Sequence, residues 1–370
     1  MPLSPLFRMA RFDDLPGWRQ DGQAQAFAAF RLCALRQASP DAKPYRSGSL
    51  GVEAESFSPA FAAAASAGAL GDRDARTFFE QHFVPFRVQP GDAASGFVTG
   101  FYEPEVDASP VRTAEFGVPL LGPPDDLVKI DDGNRPAGLD PYLAFGRRTP
   151  DGIVEYFDRA AIDAGAIEGR APPLAWLADP VDAYFVHVQG AVRLRMPDGA
   201  MRRVTYAAKS GQRFTGAGRV LAELGEIPLA DVTMQSIRAW FRANPARVAE
   251  ILHRNRSYIF FREAEVDDPA VGPVAAAKVP LTAGRSLAVD RLLHTFATPF
   301  FIDAPTLDAF GEPFRRLMIA QDTGSAIVGP ARGDLFAGSG DAAGEIAGVV
   351  RHPADFFALV PRGLAGAHVP

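Results

Sequence analysis

The segment Arg316-Leu-Met-Ile-Ala-Gln-Asp322-Thr-Gly324-Ser-Ala-Ile327 delivers one carboxylate on an apolar run to the mouth of a glycine turn. Leu317 to Ala320 reads as a buried strand, and Gly324 lets the chain reverse or cross closely over a neighbour. A carboxylate at a strand end, half shielded by apolar neighbours, holds its proton to higher pH than a free Asp, as a general acid must. The structural alternative is an Asp that satisfies backbone N–H groups of its own turn. Two more aspartates flank this one in sequence. Asp290 stands in Val279-Pro-Leu-Thr-Ala-Gly-Arg-Ser286-Leu-Ala-Val-Asp290-Arg291, and Asp334 in Arg332-Gly333-Asp334-Leu-Phe-Ala-Gly338-Ser-Gly340. Structural roles for these are an ion pair of Asp290 with Arg291 or Arg285, and a turn cap by Asp334 before the Gly338-Ser-Gly340 loop.

The elements that must position them change character along the chain. Residues 22–37 place apolar side chains at helical spacing with Asp21 as N-cap; Pro59–Gly68, capped by Ser58, and Asp72–Phe83 predict two further helices. Strands follow at Phe86-Arg-Val-Gln and Gly96-Phe-Val-Thr-Gly. Beyond residue 105 the chain is rich in Pro, Gly and Asp, with strand-like runs at Val181–Gln189, Val192–Met196 and Arg203–Ala207. A Pro197-Asp198-Gly199 turn makes the last two a hairpin. Met234–Asn244 and Ala246–Arg254 predict a helical pair burying Ile237, Phe241, Val248, Ile251 and Leu252. Short strands separated by such turns suggest a small barrel or sandwich.

Composition bounds the function. The 370 residues are 47% hydrophobic and 22% charged, enough for a sizeable core and two or three domains. A net charge of −6 and the lack of a Lys/Arg-rich run give no footprint for nucleic acid. No stretch of 18 apolar residues exists to span a bilayer. Met1-Pro-Leu-Ser-Pro-Leu-Phe-Arg is too short and proline-broken for a secretory signal, so the expectation is a cytoplasmic protein or one whose signal has been removed. The single Cys33 excludes an internal disulfide and lies in a helical pattern as a core residue. The 6 His and Cys33 show no zinc spacing, so neither a metal nor a cofactor is expected. Gly216-Ala-Gly218 lacks the third glycine of a dinucleotide loop, and Gly284-Arg-Ser286-Leu-Ala288 lacks the strand-to-helix context of a nucleophile elbow. His187, in Tyr-Phe-Val-His-Val, reads as a strand histidine without a partner.

The order Asp-Arg, then Asp-x-Gly-x-Ala-Ile, then Asp before a Gly-rich turn resembles the three-aspartate domain of MltA-type lytic murein transglycosylases. Phe97-Val-Thr99-Gly100-Phe-Tyr102-Glu-Pro104 resembles the family's Thr-Gly-Tyr-Tyr-x-Pro motif. Val188-Gln189-Gly190, Tyr206-Ala-Ala-Lys209-Ser-Gly211, and Met234-Gln235-Ser-Ile-Arg238-Ala-Trp240 with Asn255-Arg-Ser-Tyr258-Ile-Phe-Phe261 are similar to three middle segments. The resemblance covers roughly residues 95 to 350, in the family's order. Phe101 in place of a Tyr, Ser325 in place of a glycine and Val289 before Asp290 depart from the pattern, and Gly-Asp-Leu-Phe matches only loosely around Asp334.

The resemblance implies a mainly β protein with a helical N-terminal segment: a double-psi β-barrel (1–104 and 257–370) with a second β domain (105–256) inserted, and the substrate groove between them. It implies that Asp322 is the catalytic acid and base, supported by Asp290, Asp334 and Gly324. Thr99, Gly100, Tyr102, Gln189, Gly190, Lys209, Ser210 and Gln235 would bind substrate; Lys209 reads equally as a solvated surface charge. The implied substrate is the glycan strand of peptidoglycan. Cleavage would occur at the MurNAc–GlcNAc β-1,4 bond without water, by exo action, and leave 1,6-anhydromuramic acid. The implied setting is a monomer in the periplasm, associated with the outer membrane. Two rivals remain: a water-using glycosidase on a similar barrel, with Asp334 or Asp290 activating water, and a non-catalytic glycan-binding module.

Overall fold

The computed structural model describes residues 2–264 and 271–366. It divides into two compact units, Met1–Tyr102 with Pro269–Pro370, and Glu103–Asp268. In the first unit β1 (Phe7–Met9) precedes α1 (Ala24–Ala38), α2 (Ser58–Ser66), α3 (Asp72–His82), β2 (Phe83–Val88) and β3 (Phe97–Glu103). The second unit carries β4 (Glu105–Asp107), β5 (Val118–Leu121), β6 (Leu127–Lys129), β7 (Phe145–Thr149), β8 (Gly152–Val154), α4 (Arg159–Asp163), β9 (Pro173–Leu177), α5 (Pro180–Gln189), β10 (Ala191–Arg195), β11 (Met201–Lys209), α6 (Ala217–Glu223), α7 (Met234–Ala243), α8 (Val248–Leu252) and β12 (Ile259–Ala264). The chain then completes the first unit with β13 (Ser286–Val289), β14 (Pro299–Ala304), β15 (Phe314–Asp322), β16 (Arg332–Ser339), α9 (Asp341–Val349), β17 (Arg351–Pro353) and β18 (Asp355–Pro361).

The first unit is built on a nine-stranded sheet ordered β1-β2-β18-β14-β15-β13-β16-β3-β17. No pairing among the described residues joins its two ends, so a closed barrel is not detected in this strand order. β13 runs parallel to β15 and antiparallel to β16. Leu317 to Gln321 of β15 are buried without alternation, the mark of a strand covered on both faces. One cover is α1, which lays Ala26, Ala29, Phe30 and Cys33 inward. Phe30 meets Phe61, Phe78, Phe79 and Phe83 with ring centroids 5.4–6.0 Å apart. Such edge and tilted contacts add to the burial of large apolar area.

Two helix starts differ from expectation. Asp21 does not cap α1: its carboxylate is buried against Arg285 at 2.8 Å and accepts the Leu317 N–H at 2.7 Å, while Asp72 accepts the Ala24 N–H at 2.9 Å. A buried guanidinium 264 residues away outcompetes a local cap because an unpaired charge there is far costlier than a missing cap. Ser58 is likewise the first helical residue of α2 rather than its cap, and its hydroxyl donates to Glu55 O at 2.8 Å.

The second unit centres on the sheet β12-β11-β10-β4, with β10 and β11 joined through Pro197-Asp198-Gly199. β12 pairs with β11 from Lys209 to Arg203, which keeps residues 259–264 in this unit rather than placing its end at 256. Glu103 is fully buried and held by Arg203 at 2.7 Å and Arg193 at 2.9 Å. The run 181–189 is a helix, not a strand. Pro180 sits at its first turn, the Asp179 carboxylate accepts the Val181 N–H at 2.7 Å, and Gly190 closes it at φ +77°. His187 therefore lies on a helix and has a partner: its Nδ1 accepts from Arg159 Nη2 at 3.1 Å, and burial followed by the Arg159 charge holds it well below the usual histidine range.

Candidate active site

Asp322 ends β15 and Asp334 lies in β16, and both are register partners of Ala288 on the strand between them. Two inter-strand spacings therefore separate their Cα atoms by roughly 10 Å, and their shared level sends both side chains to one face of the sheet. Phe336 and Ile327 line that face with Phe101 and Ala288 as an apolar cluster. The result is a polar pair set against a dry floor.

The two carboxyls have different partners. Asp334 accepts from the Thr99 hydroxyl at 2.5 Å, and Thr99 in turn accepts from Arg332 Nη2 at 2.7 Å. Burial raises the Asp334 pKa, while the Arg332 charge and the Thr99 hydrogen bond oppose that rise. Asp322 has a weaker set: the Ala276 N–H reaches its Oδ1 at 3.3 Å. Burial, opposed by the backbone hydrogen bonds of Thr323 and Ala276 and reinforced by the Asp334 charge, pushes Asp322 up to about 6. Asp322 is nevertheless only half-buried, so a substrate atom can reach it. Like charges that share one face resist ionising together, so the Asp334 charge helps Asp322 keep its proton up to about pH 6. The hydroxyl and guanidinium around Asp334 favour its charged form, against the rise that burial causes there.

Asp290 has a different set of partners from this pair. Its Oδ1 accepts the Leu292 N–H and its Oδ2 the Gly329 N–H, each at 3.0 Å. Neither expected arginine pairs with it, since Arg285 is committed to Asp21. Asp290 ties the loop after Asp322 to the turn after β13, as a positioning group. Gly324 closes a turn with Ile327 N–H donating to its carbonyl at 3.0 Å; its φ is not left-handed, and a Cβ there would meet Ile327 at 3.3 Å.

Strand alternation divides the Thr99–Tyr102 motif. Thr99 faces Asp334, whereas Gly100 and Tyr102 point to the opposite side, against α9. A Cβ on Gly100 would stand 2.8 Å from Ala347 Cα, and one on Gly344 would stand 2.8 Å from the Tyr102 ring. The absence of a side chain at Gly100 lets α9 pack closely against β3.

The remaining expected substrate residues lie in the second unit. Gln189 ends α5, and Gly190 is its left-handed cap, whose carbonyl accepts the Tyr206 N–H at 2.7 Å. Lys209 is half-buried at the end of β11 opposite Ile259, and burial lowers its pKa. Ser210 is fully buried with its Oγ accepting the Tyr258 N–H at 3.1 Å, so it braces a strand start instead of presenting a hydroxyl. Gln235 is half-buried in the first turn of α7.

The MltA specific insert domain matches residues 97–262, and the 3D domain matches residues 285–360. The crystal structure of a membrane-bound lytic murein transglycosylase from Agrobacterium tumefaciens is 50% identical, with a TM-score of 0.92 over 98% of this chain and 99% of that one. The chain belongs to the MltA family. Membrane-bound lytic murein transglycosylase A of Escherichia coli K12 is 31% identical over 262 residues, 69% of this chain; the match spans 62% of that curated relative. A crystal structure of E. coli MltA with bound chitohexaose is 25% identical, with a TM-score of 0.68 over 97% of this chain and 96% of that one.

Sequence reasoning missed three contributors to this MltA-type site. Arg332 charges the Thr99–Asp334 pair, and its place two residues before Asp334 on a strand was the available signal. Gln321 is fully buried beneath the site, with Ser286 Oγ 2.5 Å from its Oε1 and its Nε2 donating to Ala29 O at 2.9 Å. Lys278 adopts φ +64° and sets a positive charge near Asp322. A left-handed non-glycine residue costs on the order of 1 kcal/mol or more.

Proposed function

We propose that this chain is a lytic transglycosylase that cleaves the MurNAc–GlcNAc β-1,4 bond of peptidoglycan without consuming water. The observation that carries the reading is Asp322: a half-buried carboxyl pushed up to about 6, beside a second carboxyl held by a hydroxyl and a guanidinium. Protonated Asp322 gives its proton to the glycosidic oxygen as the C1–O bond breaks. The muramic acid C6 hydroxyl then attacks C1, closing a 1,6-anhydro ring, and returns its proton to Asp322. Attack from within the same sugar supplies effective molarities of about 10⁵ M or more, so no carboxylate is needed to activate water. Asp334 would offset the positive charge that develops at C1, and Asp290 would hold the loop that follows Asp322. Chitohexaose bound by the E. coli relative supports a β-1,4 aminosugar chain as ligand.

The finer expectations belong to the same proposal. They are a double-psi arrangement of the first unit's strands, exo action, and a monomer in the periplasm at the outer membrane. No helix among the described residues is long and apolar enough to cross a membrane. The test is digestion of purified murein in ¹⁸O-labelled water. Unlabelled products lighter than hydrolytic muropeptides by one water are expected; predominant label at new reducing ends would replace this reading with a water-using glycosidase.

A further inference from the structure

The turn that touches Asp322 is held by several backbone and side-chain hydrogen bonds. Val274 and Pro280 bridge across it, the Ala275 N–H donates to Val279 O at 3.0 Å, and the Lys278 N–H donates to Ala275 O at 2.9 Å. Beneath it, the Tyr45 hydroxyl donates to Ala277 O at 2.9 Å and the Ala277 N–H donates to Gln321 O at 3.0 Å. The next N–H back, that of Ala276, is the one on Asp322. Lys278 caps this turn at φ +64°, exposed to solvent. Sixteen glycines of the described chain occupy positive φ, against two other residues, Lys278 and Ala297, so this chain ordinarily assigns such positions to glycine. Ala297 is buried, whereas Lys278 presents a long cationic side chain to solvent where glycine would be unstrained. No carboxylate among the described residues makes an ion pair with it. Strain at the lip of a catalytic group points to use of the side chain that causes it.

We infer that Lys278 is a specificity residue that binds a carboxylate carried by the glycan substrate, from the lactyl group of muramic acid or from an attached peptide. The inference rests on the proposed transglycosylase function. It also gives the bound substrate a part in catalysis. The charges around Asp322 are Asp334, with Arg332 behind it, and Lys278, whose charge favours ionised Asp322. A substrate carboxylate seated on Lys278 neutralises that pull, so Asp322 holds its proton better in the complex than in the free enzyme.

Binding is measured by calorimetry in the Asp322→Asn protein, where turnover cannot deplete the ligand. Three probes separate the sources: neutral chitohexaose, peptide-free glycan strands with free lactyl carboxylates, and peptide-bearing strands in which the lactyl group is amidated. Adding Lys278→Gln, which keeps the backbone strain and removes the charge, is expected to weaken carboxylate-bearing glycan roughly 3- to 10-fold relative to chitohexaose. A selective loss on peptide-free strands assigns the lactyl group, and a selective loss on peptide-bearing strands assigns the peptide. An equal change for all three probes, or no change, overturns the inference. Absence of binding to all three before Lys278 is altered would overturn both the inference and the function beneath it. In turnover, the basic limb of kcat should lie at higher pH than that of kcat/KM for the wild type, and the gap should close in Lys278→Gln. An unchanged gap also counts against the assignment. Lys278→Gly, which relieves the strained φ, provides a second charge-free variant that should fold at least as well.

Discussion

Asp322→Asn should make the protein more stable in alkaline solution while removing its activity. In the unfolded chain Asp322 ionises near its ordinary value of 3.8, whereas in the folded protein it does so at about 6. Between those values the native state keeps a proton that the unfolded chain has released. Stability therefore falls as pH rises through this window and stays lower above it. A displacement of roughly two units corresponds to about 3 kcal/mol, and water at the exposed edge of the carboxyl reduces this to about 1–3 kcal/mol. The amide cannot ionise and can still accept the Ala276 N–H, so the variant escapes the penalty. Its melting temperature should match the wild type at pH 4 and exceed it by roughly 2–12 °C at pH 8, using about 2–4 °C per kcal/mol for a unit of this size. Thermal unfolding at both pH values checks this. A difference between the two proteins that does not vary with pH would refute the assignment of a raised pKa to Asp322.

The same variant should lose roughly 10²–10⁴-fold in murein turnover, the usual contribution of a general acid–base group; activity within about tenfold of wild type would remove Asp322 from that role. Gly100→Ala would drive a Cβ to 2.8 Å from the Ala347 backbone, and overpacking of this kind costs about 1–3 kcal/mol in denaturant titration. Arg285→Met leaves the buried Asp21 carboxylate without its guanidinium and should destabilise by about 3–5 kcal/mol. EDTA should leave turnover unchanged, because no group of three or more His, Cys, Asp or Glu among the described residues is arranged to hold a metal; loss of activity restored by one divalent ion would contradict this.

The legible parts of this chain were those with local signals. The Pro197-Asp198-Gly199 turn gave its hairpin, and the Leu317–Ala320 apolar run gave its buried strand. Residues 181–189 misled because Tyr-Phe-Val-His-Val favours strands by composition, while the Asp179-Pro180 start and the Gly190 stop spelled a helix. The Asp21–Arg285 pair, the burial of Ser210 and the relay from Arg332 through Thr99 to Asp334 had no local signature. They join residues that only the tertiary fold brings together. The opposed directions of Thr99 and Tyr102 were legible in principle, since a strand cannot send residues three apart to one face.

Gln321 and Asp322 are neighbours on one strand that look in opposite directions, the amide toward Ala29 and Cys33 of α1 and the carboxyl toward the site. A strand misplaces its side chains only in whole steps, and one step here would exchange the two, sinking a carboxylate into the core and offering an amide as the acid. The buried amide is thus a detent: it permits one setting of the strand and rejects the next. Alignment of the acid is fixed by the hidden side of the sheet, which leaves the solvent-facing turn of Ala276 and Lys278 to tune the proton without shifting the strand that carries it.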